Sequence, residues 1–178
     1  MHDTDDTRPG GGSRWLAAAG SAIFFAVAPC VVAGLVPWWL TGWRLATPLP
    51  LWDSLRALGV VLTIAATAVV LSAFARFVVD GIGTPAPVAP TEYLVVSGLY
   101  RYVRNPMYIA VVSAIVGQAL FFGQLGLLLY AAAVGVLMGA FARWVEEPTL
   151  LERFGAEYAE YRRAVPGWWP RLRPWRRG

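Results

Sequence analysis

The chain has 178 residues, 57% of them hydrophobic and 15% charged, with a net charge of +4 and a mean hydropathy of +0.53. Soluble domains are about 45–50% apolar and about 25% charged, so lipid is the main solvent here and a large soluble catalytic domain is excluded. Every basic residue is arginine, which removes lysine Schiff-base chemistry, and the lone His2 leaves no material for a His-ligated metal, a haem ligand or a Ser/His triad. Neither a metal nor a nucleic acid is expected as a partner.

Met1 to Ser13 is polar and rich in Asp and Gly and reads as a disordered tail, residues 1–13. A first apolar run extends from Trp15 to about Leu40, long enough to cross a bilayer, with a kink expected at Pro29 and Cys30 expected as a small buried hydrophobe. The acidic start (Asp3, Asp5, Asp6) argues for a retained span over a cleaved signal peptide. The second run is Ala57 to about Val79, broken by Arg76, so that residues 14–79 hold two N-terminal spans.

A connection from Asp80 to Asn105 follows, carrying Gly83, Pro85, Pro87 and Pro90; such lengths are functional or disordered. The third run is Pro106 to Phe122. Gly123-Gln124 then turns tightly into a fourth, Leu125 to about Trp144, making an antiparallel hairpin.

Beyond it, Thr149 to Arg163 repeats Leu150, Leu151, Phe154, Tyr158 and Tyr161 at helical steps, with Gly155 as a bend; this reads as an amphipathic helix on the headgroups, able to act as a lid. The expected fold is an all-α integral membrane protein of about four transmembrane helices, the last two a hairpin, plus that C-terminal interfacial helix. No internal repeat is visible.

Thirteen of the fifteen arginines fall on the side shared by the N-terminus, the long connection and the tail; only Arg44 and Arg56 face the other side. Arginine marks the cytoplasmic side, so both termini are expected there, in the cell inner or plasma membrane. Trp38, Trp39, Trp43 and Trp52 gather at one boundary and Trp15, Trp144, Trp168, Trp169 and Trp175 at the other.

Two polar groups converge on the arginine-rich side. In Ser97 to Tyr108, Asn105 before Pro106 is placed to cap the third helix, whose free N–H groups and dipole suit a carboxylate; a plain positive flank with interfacial tyrosines gives the same composition. In Arg143 to Pro148, Arg143 and Glu147 are four apart and share a face, with Pro148 making Glu147 the expected break. Two adjacent glutamates at a helix end run against the dipole, so a cation is expected beside them; Arg143 alone could supply it.

The order Gly98-x-Tyr100-x-x-x-Arg104-Asn105-Pro106-x-Tyr108, a short hairpin, Glu146-Glu147-x-x-Leu150-x-x-x-Phe154-Gly155-x-x-Tyr158-x-x-Tyr161 and Val165-Pro166 resembles the isoprenylcysteine carboxyl methyltransferase family, with its bacterial relatives and phospholipid methyltransferases. The likeness covers Gly81 to Arg171. It implies an integral membrane enzyme that uses S-adenosylmethionine without a Rossmann domain, with residues 80–171 as catalytic region and 172–178 as an arginine-rich end. It further implies that Glu92, Tyr93, Leu94, Val95 and Tyr100 form a cofactor wall and that Asn105, Pro106, Met107 and Tyr108 grip the cofactor. Glu147 would contact it, and Arg143 would face a substrate carboxylate. Asn105 stands where eukaryotic relatives carry His, and Ala110 where Gly is common.

The residues themselves agree with that chemistry. A sulfonium, an ammonium and a carboxylate need acid (Glu147, Glu146), a basic or helix-N-terminal partner (Arg104, the Asn105-Pro106 turn) and aromatic faces (Tyr100, Tyr108). A carboxylate nucleophile is already ionised and needs only orientation by Arg143, whereas an amine needs a base, for which Glu146 is the candidate. The expected substrate is lipid-like and enters from the bilayer. Phospholipid amine methylation, a non-enzymatic four-helix protein binding anionic lipid or a partner, and a nicotinamide-dependent helical reductase are the other readings.

Overall fold

A computed structural model describes residues 27–50, 52–80 and 94–176, with backbone alone over 74–80. The N-terminal tail, the start of the first span, Glu92 and Tyr93 lie outside the described residues. Five helices follow in order: α1 (Val27–Thr41), α2 (Trp52–Asp80), α3 (Pro106–Phe122), α4 (Gly126–Phe141) and α5 (Glu147–Ala164). A single 3-10 turn, Gly98–Arg101, precedes α3, and no strand occurs among the described residues. Trp52–Ala73 and the continuous Gly126–Ala164 are long and apolar enough to cross a membrane, while Val27–Thr41 and Pro106–Phe122 are shorter apolar helices.

Proline shapes two of these elements differently from expectation. Pro148 was the expected break, yet the chain stays helical through it. The turn Ala142–Glu146 widens so that the Glu147 N–H bonds back to the Ala142 carbonyl, five residues away. That extra residue per turn absorbs the missing donor and the ring of proline.

The same device appears in α1, where Val31–Leu35 is widened ahead of Pro37 and the Val36 N–H reaches Val31. The irregularity therefore follows Pro29 and is tied to Pro37. Pro37 has no N–H to return to Ala33, and the Gln118 amide donates to that carbonyl instead (2.5 Å). The Tyr130 hydroxyl donates to Val32 O at 2.9 Å. Cys30, expected to be buried, is exposed.

The second apolar helix starts at Trp52, five residues ahead of its apolar run, because its first-turn charges find partners. Asp53 lies at the positive helix end, and Arg56 reaches Asp53 (3.0 Å), Phe121 O (3.2 Å) and Ala46 O (2.8 Å). Trp52 donates to Leu120 O (2.8 Å) and the Ala46 N–H to Phe122 O (2.8 Å), so the last carbonyls of α3 are all taken. Gly123, at φ +70°, makes the expected tight turn there.

Contact between α2 and α3 is backbone-close: a carbon on Gly59 would sit 2.6 Å from Gly117 O, which is the small-residue crossing used inside membranes. Val111, Ile115 and Ala119 of α3 meet Leu127, Ala131 and Val134 of α4 in the main core, with Val32 of α1 and Val70 of α2 against it. Outward-facing Leu58, Val61, Ile64, Leu129, Val136 and Leu137 stay exposed, an apolar surface suited to acyl chains.

Helix α5 packs part of its apolar stripe on protein. Tyr158, Tyr161 and Val165 form a second buried cluster with Leu94, Val96, Leu150, Phe154 and Trp175, while Leu151 stays exposed. Gly155 bends the helix as expected, with φ +51° and ψ −122°. The tail runs back along the loop before α3, with Arg171 N–H on Tyr102 O (3.0 Å) and Trp175 N–H on Arg101 O (2.9 Å).

Candidate functional site

Four segments meet at one end of the hairpin: the 94–105 loop, the first turn of α3, the widened turn into α5, and the tail. Asn105 occupies the cap position of α3 with φ −116° and ψ 53°, but its side chain makes no cap bond. Its amide instead donates to Gly167 O (3.2 Å), as does its backbone N–H (3.2 Å). The expected capping by Asn105 is thus replaced by a hold on the tail, while the first-turn N–H groups keep their outward direction.

Arg104 ties the loop to everything else. Its guanidinium donates to Glu147 Oε1 (2.7 Å) and Tyr158 Oη (3.2 Å), its Nε to Val165 O (3.0 Å), and its backbone N–H to Pro166 O (2.9 Å). The other oxygen of Glu147 accepts from Arg143 (3.1 Å), the expected pair, and from Arg162 (3.1 Å). One carboxylate, 12% exposed, is therefore held by three guanidiniums, of which Arg104 is 14% exposed and Arg143 62%. The cation expected beside the glutamates is not Arg143 alone. The surplus positive charge makes this half of the site attractive to an anion.

Glu146 turns to different partners. It accepts a short hydrogen bond from the Tyr108 hydroxyl. Burial raises its carboxyl above the usual carboxylate range, the Tyr108 bond pulls it down and neighbouring Glu147 pushes it up further. Tyr100 is pushed well above the ordinary phenol range by burial, with Tyr161 and Glu146 adding to it. Its carbonyl accepts the Tyr161 hydroxyl (2.7 Å). The Trp168 indole stacks near Tyr108, ring centroids 6.4 Å apart.

Other expected residues fall nearby in supporting positions. Pro106 is buried in the first turn of α3, Met107 and Val95 are half-buried, and Leu94 packs in the Tyr158 and Tyr161 cluster. Arg162, Tyr158, Tyr161, Gly167 and Trp168 were missed as site residues. The signal for Arg162 is its place directly after the second tyrosine of the motif. The site thus has an acidic, aromatic half (Glu146, Tyr100, Tyr108, Trp168) beside a cationic half (Arg104, Arg143, Arg162 around Glu147).

No curated protein matches the chain. The family model for phospholipid methyltransferase matches residues 54–157, from the first turn of α2 past the Gly155 bend of α5 and well over half of the chain. That stretch contains Arg104, Tyr108, Arg143, Glu146 and Glu147, and the chain belongs to the phospholipid methyltransferase family.

Proposed function

We propose that this methyltransferase uses S-adenosylmethionine to methylate a lipid-like substrate, most favourably a carboxylate, at the end of the α3–α4 hairpin. The observation that carries the reading is the pairing of Tyr108 with Glu146 beside an arginine-clasped Glu147. The donor set fits the cofactor: an acid and aromatic faces for its cationic side, arginines and first-turn N–H groups for its carboxylate. When bound, the cofactor supplies an electrophilic methyl on a positively charged sulfur.

The roles of the chain's own groups follow from their partners. Glu146, fixed by Tyr108, presents negative charge to the cationic side, a part first expected of Glu147. Glu147 is spent on three arginines and acts as a positioning residue. Arg143, the most exposed of the three, is free to swing toward a substrate anion and orient it in line with the methyl. We further propose that all four apolar helices cross the bilayer with the site on the cytoplasmic side, where the arginines concentrate.

One observation favours a second reading, N-methylation of a phospholipid amine. The carboxyl of Glu146 sits above its usual range, which makes it a better base for an ammonium proton. Purified protein incubated with methyl-labelled S-adenosylmethionine and a lipid extract tests both. Label in the lipid phase that mild alkali releases as methanol is expected for an ester; alkali-stable label identifies the amine product, and absence of lipid label overturns the reading.

A further inference from the structure

The tail from Val165 to Trp175 has two faces. Inward, Trp168 stacks on Tyr108, and its indole lies over Gly139, 3.8 Å from where a side-chain carbon would begin. It thereby closes the space between α3 and α4 beside Glu146. The strap is pinned on either side of this residue, by Arg104 and Asn105 at Pro166 and Gly167, and by Tyr102 at Arg171. Gly167 lets the strap pass close to the loop, since a carbon there would come 3.2 Å from the Arg104 guanidinium.

Outward, Trp169 and Leu172 are 84% and 98% exposed. None of the described residues covers them. They stand between arginines, with Arg173 and Arg176 exposed beside them. Trp144 and Phe141 are exposed at the same end of α4, a helix apolar enough to cross a membrane, and Trp168 of the strap lies against that helix at Gly139. An aromatic and an aliphatic tip ringed by arginine match the boundary of a bilayer whose headgroups are acidic.

We propose that the strap is a lid seated on an anionic leaflet: Trp169 and Leu172 enter the interface, and that seat holds Trp168 over Tyr108. The lipid surface thereby becomes part of the donor site. This rests on the reading that α4 crosses a bilayer and that Tyr108 borders the bound donor.

The test uses the full chain in nanodiscs of phosphatidylcholine alone and of phosphatidylcholine mixed with phosphatidylglycerol. A nitroxide on Leu172→Cys, with Cys30→Ala as background, reports depth. In the anionic discs it is expected to be relaxed more by oxygen than by a water-soluble nickel chelate. Relaxation dominated by nickel in those discs overturns the seat. For the coupling, Trp169→Ser with Leu172→Ser is expected to weaken S-adenosylmethionine binding by about three- to tenfold in anionic discs and to leave it unchanged in detergent, where no leaflet exists. Equal affinity in the discs overturns the coupling. Failure of the methyltransferase reading looks different, because the unaltered protein would then bind no cofactor in either disc while the label depth still decides the seat.

Discussion

Glu147 joins segments far apart in sequence, and its two oxygens are used unequally. Oε1 faces Arg104, nearly as buried as itself, while Oε2 faces two arginines closer to solvent. Removing the carboxylate leaves a half-buried guanidinium without its anion, which costs about 3–5 kcal/mol for buried pairs. Glu147→Ala is therefore expected to lower the midpoint of thermal unfolding in detergent by many degrees. Arg143→Ala, at a 62% exposed position, should change stability by less than about 1 kcal/mol. Equal shifts for the two variants would contradict this division of labour.

Glu146 carries the pH dependence. Its carboxyl is raised chiefly by burial, so the folded protein holds the proton more tightly than the unfolded chain does. Its contribution to stability is complete below the ordinary carboxylate range and declines as pH rises from there through the raised value. Affinity for a cationic donor runs the other way, growing as the carboxyl ionises across that same window. Calorimetric titration of S-adenosylmethionine at several pH values is expected to show that rise in the unaltered protein and a flat, weaker profile in Glu146→Gln. A rise that persists in the variant would place the titrating group elsewhere.

At the scale of elements, the two glycines at the α2–α3 crossing set how close the helices come. A methyl on Gly59 meets Gly117 O and Phe121 N, both backbone atoms that cannot rotate away. Gly59→Ala is expected to destabilise by about 1–3 kcal/mol through forced separation, whereas Gly126→Ala, with open space around it, stays near neutral. Comparative thermal unfolding of the two variants reads the difference.

The apolar runs themselves were legible because each is long and nearly free of charge, and the turn at Gly123 because only glycine takes its φ without strain. Helix ends were less legible. Asp53 and Arg56 look like loop residues until Phe121 O and Ala46 O are seen to accept from Arg56. Pro148 looks like a stop until the backbone widens to pass it. In the site, Arg104 meets Glu147 and Tyr108 meets Glu146, but that division of labour between two adjacent glutamates did not show. About 100° of helical turn separates their side chains, so each one's partner is set by tertiary packing alone. The covering of Tyr158 and Tyr161 by the tail was hidden for the same reason, since a stripe of tyrosines reads alike whether lipid or protein lies against it.

At the scale of the whole molecule, the hydrogen bonds separate two ends. Ala46 N–H on Phe122 O and the Gln124 amide on Arg44 O (2.8 Å) place the 42–50 connection beside the α3–α4 turn. The site, with the 94–105 loop and the tail, lies at the opposite end of α3, whose 17 residues span about 25 Å at 1.5 Å per residue. If the helices cross a bilayer, these ends must face opposite compartments, and the proposal made above from the uneven arginine count puts the site end in the cytoplasm. Leu45 and Leu172 are exposed markers of the two ends. In a Cys30→Ala background, a membrane-impermeant maleimide applied to intact spheroplasts is expected to label Leu45→Cys and to reach Leu172→Cys only after lysis. The reverse pattern would invert the topology and place the acceptor lipid in the outer leaflet, and equal labelling before lysis would show that the ends are not separated by a membrane.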